Sequence, residues 1–253
     1  MGQMAVNSGV SALLLAVAGW RAAKNAIFNP KTLTVAMRWN LTHNRPILSV
    51  MRLSTLRLRT RVKICGITRI EDGLAAAAAG ADAIGLVFYD RSPRCVENLR
   101  AAEIAAALPA FVSRVALFVN AAAEEIERVL TQVPVDTIQF HGDESPQECA
   151  VYGMPYVKAV RMRPGVDLHR QRERYRQAAG LLVDSYRADI PGGTGETFNW
   201  SLIPSDISAE IILAGGLNAG NVAAAIESVR PWAVDVSGGV EASKGLKDAR
   251  AIE

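Results

Sequence analysis

Ile211-Ile212-Leu213-Ala214-Gly215-Gly216-Leu217-Asn218 and Ala233-Val234-Asp235-Val236-Ser237-Gly238-Gly239-Val240 are two short apolar runs, each followed by a pair of glycines. An apolar run this short and this rich in β-branched residues reads as a strand buried on both faces. Glycine after it lets the backbone turn and come close to a ligand, where a Cβ would obstruct. Between the two runs a helical pattern extends from Asn218 to Val229. Together they make a strand–helix–strand unit, whose right-handed crossover sets the strands parallel.

The same rhythm continues outward from this unit. Further strand candidates are Val62–Cys65, Ala83–Val87, Arg114–Val119, Thr137–Phe140, Tyr156–Val160 and Leu181–Asp184, which brings the total to eight. Helical patterns occupy Ile70–Ala79, Asn98–Leu108, Ala123–Thr131, Pro146–Tyr152 and Leu168–Ala178, and a last, short helix is expected from Leu246. Eight alternating strands within residues 61–253 predict an α/β fold, a parallel eight-stranded (β/α)8 TIM barrel. A flavodoxin-like open sheet would need only five or six strands. In a barrel of this kind the chemistry lies where strands end and the βα loops begin.

The strand ends carry the candidate residues. Cys65 closes the first strand, and Gly66 follows it. The second runs into Ser92-Pro93-Arg94, where a guanidinium after a rigid dipeptide can present a planar fork to a carboxylate. His141 follows the fourth, fit either to bond a substrate or to support its loop. Asp184 ends the apolar sixth strand, where an acid is costly unless solvated or used. Gly193 and Gly195 lie in a loop suited to wrapping a phosphate or acting as a lid. The turns at Gly215-Gly216 and Ser237-Gly238-Gly239 follow the seventh and eighth strands, where barrels of this type commonly bind phosphate.

Composition limits the function classes. The net charge is +3, yet residues 1–62 hold nine Lys or Arg and no acid, so the remainder is net negative. The basic character belongs to the leader, and nucleic acid binding by the folded part is not expected. Three cysteines at spacings unlike a zinc site suit a reducing, cytoplasmic setting. The three scattered histidines suggest no metal. Residues 1–60 read as a separate extension, disordered or begun upstream of a start at Met51; organelle targeting and a membrane anchor are the alternatives. Their apolar stretch, Val10–Trp20, is short of the about 20 residues a span requires.

The runs Lys63-Ile64-Cys65-Gly66-Ile67-Thr68, Gly85-Leu86-Val87-Phe88-Tyr89, Ser92-Pro93-Arg94, Gln139-Phe140-His141-Gly142, Leu182-Val183-Asp184, Gly193-Thr194-Gly195, Gly215-Gly216-Leu217-Asn218 and Val234–Glu241 occur in one order along residues 61–253. Together they resemble the phosphoribosylanthranilate isomerases of tryptophan biosynthesis. The resemblance implies Cys65 as general base, Asp184 as general acid and Arg94 as the contact to the anthranilate carboxylate. It implies a phosphate grip from Gly193, Gly195, Gly215, Gly216, Ser237, Gly238 and Gly239, with His141 and Asp235 also in the substrate site. The implied partner is a phosphorylated sugar-amine alone, with no cofactor, metal, nucleic acid or membrane, acting in a monomer or homodimer. A histidine-pathway sugar isomerase would resemble a pair of Asp bases, and Cys65 stands at the first of those positions. Indole-glycerol-phosphate synthase and a metal-dependent epimerase would need residues that cannot be placed here. A non-catalytic barrel with a short C-terminus is the remaining alternative.

Overall fold

The computed structural model describes residues 35–40, 45–50, 59–185 and 198–253. The chain divides into two units, residues 1–59 and 60–253. In the first, Val35–Asn40 and Arg45–Val50 pair as an antiparallel ribbon. The sequence pattern gave no sign of this pair. The reading of Val10–Trp20 as too short to span a membrane, and that of Met51 as a start, lie outside the described residues. No helix among the described residues is long and apolar enough to cross a membrane.

The second unit is the expected closed barrel. Its staves are β1 Arg61–Cys65, β2 Ala83–Phe88, β3 Ser113–Phe118, β4 Thr137–Phe140, β5 Tyr156–Met162, β6 Gly180–Ser185, β7 Ile211–Leu213 and β8 Ala233–Val236. All eight pair in parallel with their sequence neighbours, and β8 returns to β1 to close the ring. Helices α1 Ile70–Ala78, α2 Asn98–Ala107, α3 Ala123–Gln132, α4 Pro146–Ala150 and α5 Leu168–Arg174 follow the first five staves. Past β6 the described chain resumes with a 3-10 turn at Trp200–Leu202, and α6 Val222–Val229 follows β7.

Alternate residues along each stave belong to two separate cores, as a pleated strand covered on both faces requires. Ile64, Leu86, Phe118, Phe140, Leu181 and Leu213 pack outward under the helices in the main hydrophobic core. Burying each such side chain contributes about 1.5–3 kcal/mol, so this shell holds the fold. Inward residues form smaller groups, Cys65 with Val87 and Leu117, and Ala159 with Leu182 and Ala214. The inward set includes Ala83, Gly85, Gly180 and Ala233, and this small lining leaves room for polar side chains inside the barrel.

The C-terminus departs from expectation. Leu246–Lys247 does not start a helix but pairs as a short strand with Glu241–Ser243; the helix, α7, is only Ala249–Ile252. The cause is Gly245, whose φ of 80° turns the chain back. Side-chain bonds then dock the turn. Thr68 Oγ1 donates to the Gly245 carbonyl at 2.5 Å, and the Lys247 amide donates to Asp72 at 3.2 Å. Ala251 and Ile252 reach the main core, so the abbreviated helix still covers its part of the barrel.

Candidate active site

Cys65 and Asp184 both stand at inward positions at the C-terminal ends of their staves, and both are buried. Around the ring, β7 and β8 are the two staves between β6 and β1. The acid and the thiol therefore flank the two glycine turns. Of the expected grip, Gly193 and Gly195 lie outside the described residues.

The thiol sits against β2, where Cys65 is in register with Gly85. A Cβ on Gly85 would lie 2.6 Å from the Cys65 sulfur and 3.1 Å from Lys63 Nζ. Glycine is what leaves both groups their space. Gly66, with φ of 76°, then turns the chain under the Arg94 side chain. Burial pushes the Cys65 thiol above its ordinary range; Lys63, and more weakly Lys247, pull it back, while Asp235 pushes it further up.

Asp184 is held from two sides. The Ser185 amide donates to Oδ1 at 2.7 Å, and His141 Nε2 lies 3.1 Å from Oδ2. Gln139 Nε2 lies 3.0 Å from the other ring nitrogen, His141 Nδ1. With the Gln139 amide donating to Nδ1, the ring hydrogen is on Nε2 and points at Asp184. The β4 loop that carries His141 is itself anchored. The Glu144 carboxylate accepts from the Asn120 amide at 2.8 Å and the Gly142 amide at 3.0 Å, and pairs with buried Lys158 at 3.2 Å. Glu144 thus anchors the loop, and the His141 ring reaches from it to Asp184.

Arg94, in the loop after β2, packs over Gly66 at the mouth of β1, and its fork is occupied. Its Nε and Nη2 bind the two oxygens of Glu241 at 2.7 and 2.8 Å. Lys247 Nζ adds a third bond to Glu241 at 2.9 Å. Burial disfavours the Glu241 charge, yet these two cations outweigh it and hold the carboxyl below the usual glutamate range. Asp235 turns inward from β8 and binds Lys63 Nζ at 2.8 Å. Sequence reading missed Lys247 and quoted Lys63 only as the start of a motif. The signal for Lys63 was its place two residues before Cys65, which puts it on the same face of the strand. Glu241 was quoted only as the end of a motif.

The turns after β7 and β8 meet, Asn218 bridging to Gly239. Gly238 packs against Arg94, a Cβ there lying 3.1 Å from Nη2. Gly215 has φ of 85°, and a Cβ on it would lie 2.6 Å from the Ser185 amide and 2.9 Å from Asp184 Oδ1. Gly215→Ala should therefore lower stability by about 1–3 kcal/mol through left-handed strain and overpacking, with turnover falling as Asp184 is displaced. An unchanged urea midpoint and unchanged kcat would contradict this packing.

Known proteins resemble this chain over the barrel. Residues 62–253 match the family model for N-(5'phosphoribosyl)anthranilate isomerase. A relative named N-(5'-phosphoribosyl)anthranilate isomerase from Alcanivorax borkumensis is 63% identical over 199 residues, 76% of this chain and 91% of the relative. The crystal structure of phosphoribosyl anthranilate isomerase from Thermotoga maritima superposes with a TM-score of 0.70 at 41% identity, covering 77% of this chain and 95% of that one. A solved complex of such an enzyme with reduced 1-(O-carboxyphenylamino)-1-deoxyribulose 5-phosphate has a TM-score of 0.67 at 40% identity, with the same coverage. By barrel, motif order and these matches, the chain belongs to the N-(5'-phosphoribosyl)anthranilate isomerases, a family of isomerases in tryptophan biosynthesis.

Proposed function

We propose that this chain carries out the Amadori rearrangement of N-(5-phosphoribosyl)anthranilate to 1-(2-carboxyphenylamino)-1-deoxyribulose 5-phosphate, with Asp184 as general acid and Cys65 as general base. The observation that carries the reading is the placement of these two groups on either side of the β7 and β8 glycine turns. A sugar phosphate held by Gly215, Gly216, Ser237, Gly238 and Gly239 would lie between a proton donor and a proton acceptor.

In this reading Asp184 protonates the furanose ring oxygen, the C1–O bond breaks, and the nitrogen lone pair forms the Schiff base. The Cys65 thiolate then takes the proton from C2, leaving an enolamine that tautomerises to the amino-ketose. One passage leaves Asp184 ionised and Cys65 protonated, so the pair exchanges a proton with its surroundings before the next. Bringing a thiolate and an acid to bear on one sugar contributes by general acid–base catalysis, about 10²–10⁴-fold for each group. His141, whose Nε2 faces Asp184, orients the acid. Arg94 keeps its Nη1 edge for the anthranilate carboxylate while Glu241 holds the other edge.

The direct test is turnover of N-(5-phosphoribosyl)anthranilate by the purified full-length chain, and no turnover would favour a non-catalytic barrel. Arg94→Ala should act mainly on binding. Loss of one charge-assisted contact predicts a KM rise of about 10–100-fold with little change in kcat. Steady-state kinetics check this, and a loss confined to kcat would remove Arg94 from the carboxylate contact.

A further inference from the structure

A barrel interior can be filled with Val, Ile and Leu, yet here it contains an ion pair. Lys63 and Asp235 are cross-strand neighbours in the β1–β8 register and bind at 2.8 Å, both nearly inaccessible to water. A buried ion pair is a poor device for stability, because the cost of desolvating two charges offsets their attraction. Lys63 is also more than Asp235 needs. Its ammonium lies with the Cys65 sulfur against Gly85, both atoms within 3.1 Å of where a Cβ of residue 85 would stand.

We propose that Lys63 is the positioning residue that makes buried Cys65 usable as a base, its ammonium holding the thiolate while Asp235 holds the ammonium. The role rests on Cys65 being the base, as proposed above. The charged groups that face the sulfur are Lys63 from its own strand, Asp235 from β8, Arg94 from the β2 loop and Lys247 from the C-terminal turn. The facing residues of β2 and β3, Val87 and Leu117, are apolar. Glu241 binds both Arg94 and Lys247, so two of the three cations share a buried counter-ion of their own. Lys63 is the cation whose ammonium lies with the sulfur against Gly85. Burial disfavours its charge, but Asp235 and Cys65 outweigh that and hold it above the ordinary lysine range. The step it serves is a simple proton transfer. The sulfur lone pair takes the C2 proton, the C–H electrons pass into the enolamine, and Lys63 neither gains nor loses a proton.

The test is the pH dependence of Cys65 alkylation by iodoacetamide, followed on the Cys65 peptide by mass spectrometry in the full-length chain. Cys149 will not interfere, its thiol being pushed up to about 12 by burial. Lys63→Met alone strands Asp235 and can fail to fold, so Lys63→Met/Asp235→Asn is made beside it. The double variant should alkylate at least about tenfold more slowly at neutral pH, its midpoint moved up by about one pH unit or more. Lys63→Arg, which keeps the charge, should stay near the wild-type midpoint. A folded double variant with the wild-type profile would overturn the role, because Lys63 would then serve only to neutralise Asp235. So would Lys63→Arg shifting as far as the double variant. Alkylation needs no turnover, so a wild type without isomerase activity would sink the proposed function while these profiles still decide on Lys63.

Discussion

Cys65→Ala is expected to lower kcat by about 10³-fold or more and to leave KM within about threefold. The thiol is small and buried, and the apolar groups around it, Val87 and Leu117, accept a methyl without leaving an unpaired polar atom. Folding should therefore survive, and what disappears is a proton acceptor over the sugar. Removing the anion also leaves Lys63 paired with Asp235, so the interior charge balance is kept. Cys65→Ser sharpens the point, since a hydroxyl is nearly the same shape but does not ionise in the working range. It should be about as slow as the alanine variant. Steady-state rates on purified protein check both, and full activity in either would remove Cys65 as the base.

Asp184→Asn is expected to lower kcat by about 10²–10⁴-fold with substrate still bound. The amide is nearly isosteric, and its oxygen can still accept the Ser185 amide hydrogen bond that fixes Oδ1. It has no proton to give to the ring oxygen. Binding should change little, because the phosphate turns and Arg94 are untouched. The sharpest reading is with a substrate analogue held in the open-chain form, for which ring opening is already complete. The variant should recover most of its rate there, and an equal loss on both forms would place Asp184 outside the ring-opening step.

The barrel was legible because its signal is repetitive. Eight short β-branched runs recur, most of them followed by a helical pattern, and burial on both faces of each stave leaves no other use for such runs. The candidate residues were picked out by ordinal position, Cys65 and Asp184 at stave ends and Arg94 in the loop after the second stave. Their partners were not. The Lys63–Asp235 and Arg94–Glu241 bonds join residues 172 and 147 positions apart, and nothing local in the chain encodes which stave closes on which side chain. Alternation does place Lys63, Cys65, Asp235 and Ser237 on the inner face, so their layer was within reach even though their pairing was not. The C-terminal turn was misread for the opposite reason. Leu246-Lys247-Asp248-Ala249 looks helical by composition, but the positive φ of Gly245 and the bonds to Thr68 and Asp72 make its first two residues a strand.

The ammonium beside the Cys65 sulfur has its counter-ion on the final stave, while the sulfur and ammonium themselves are on the first. A chain still emerging from the ribosome carries the proposed base from its early residues, yet lacks the carboxylate that secures the nearby cation. Only when the ring of staves is complete is the full electrostatic circuit assembled. On the proposed mechanism, activity would be tied to the closing of the ring.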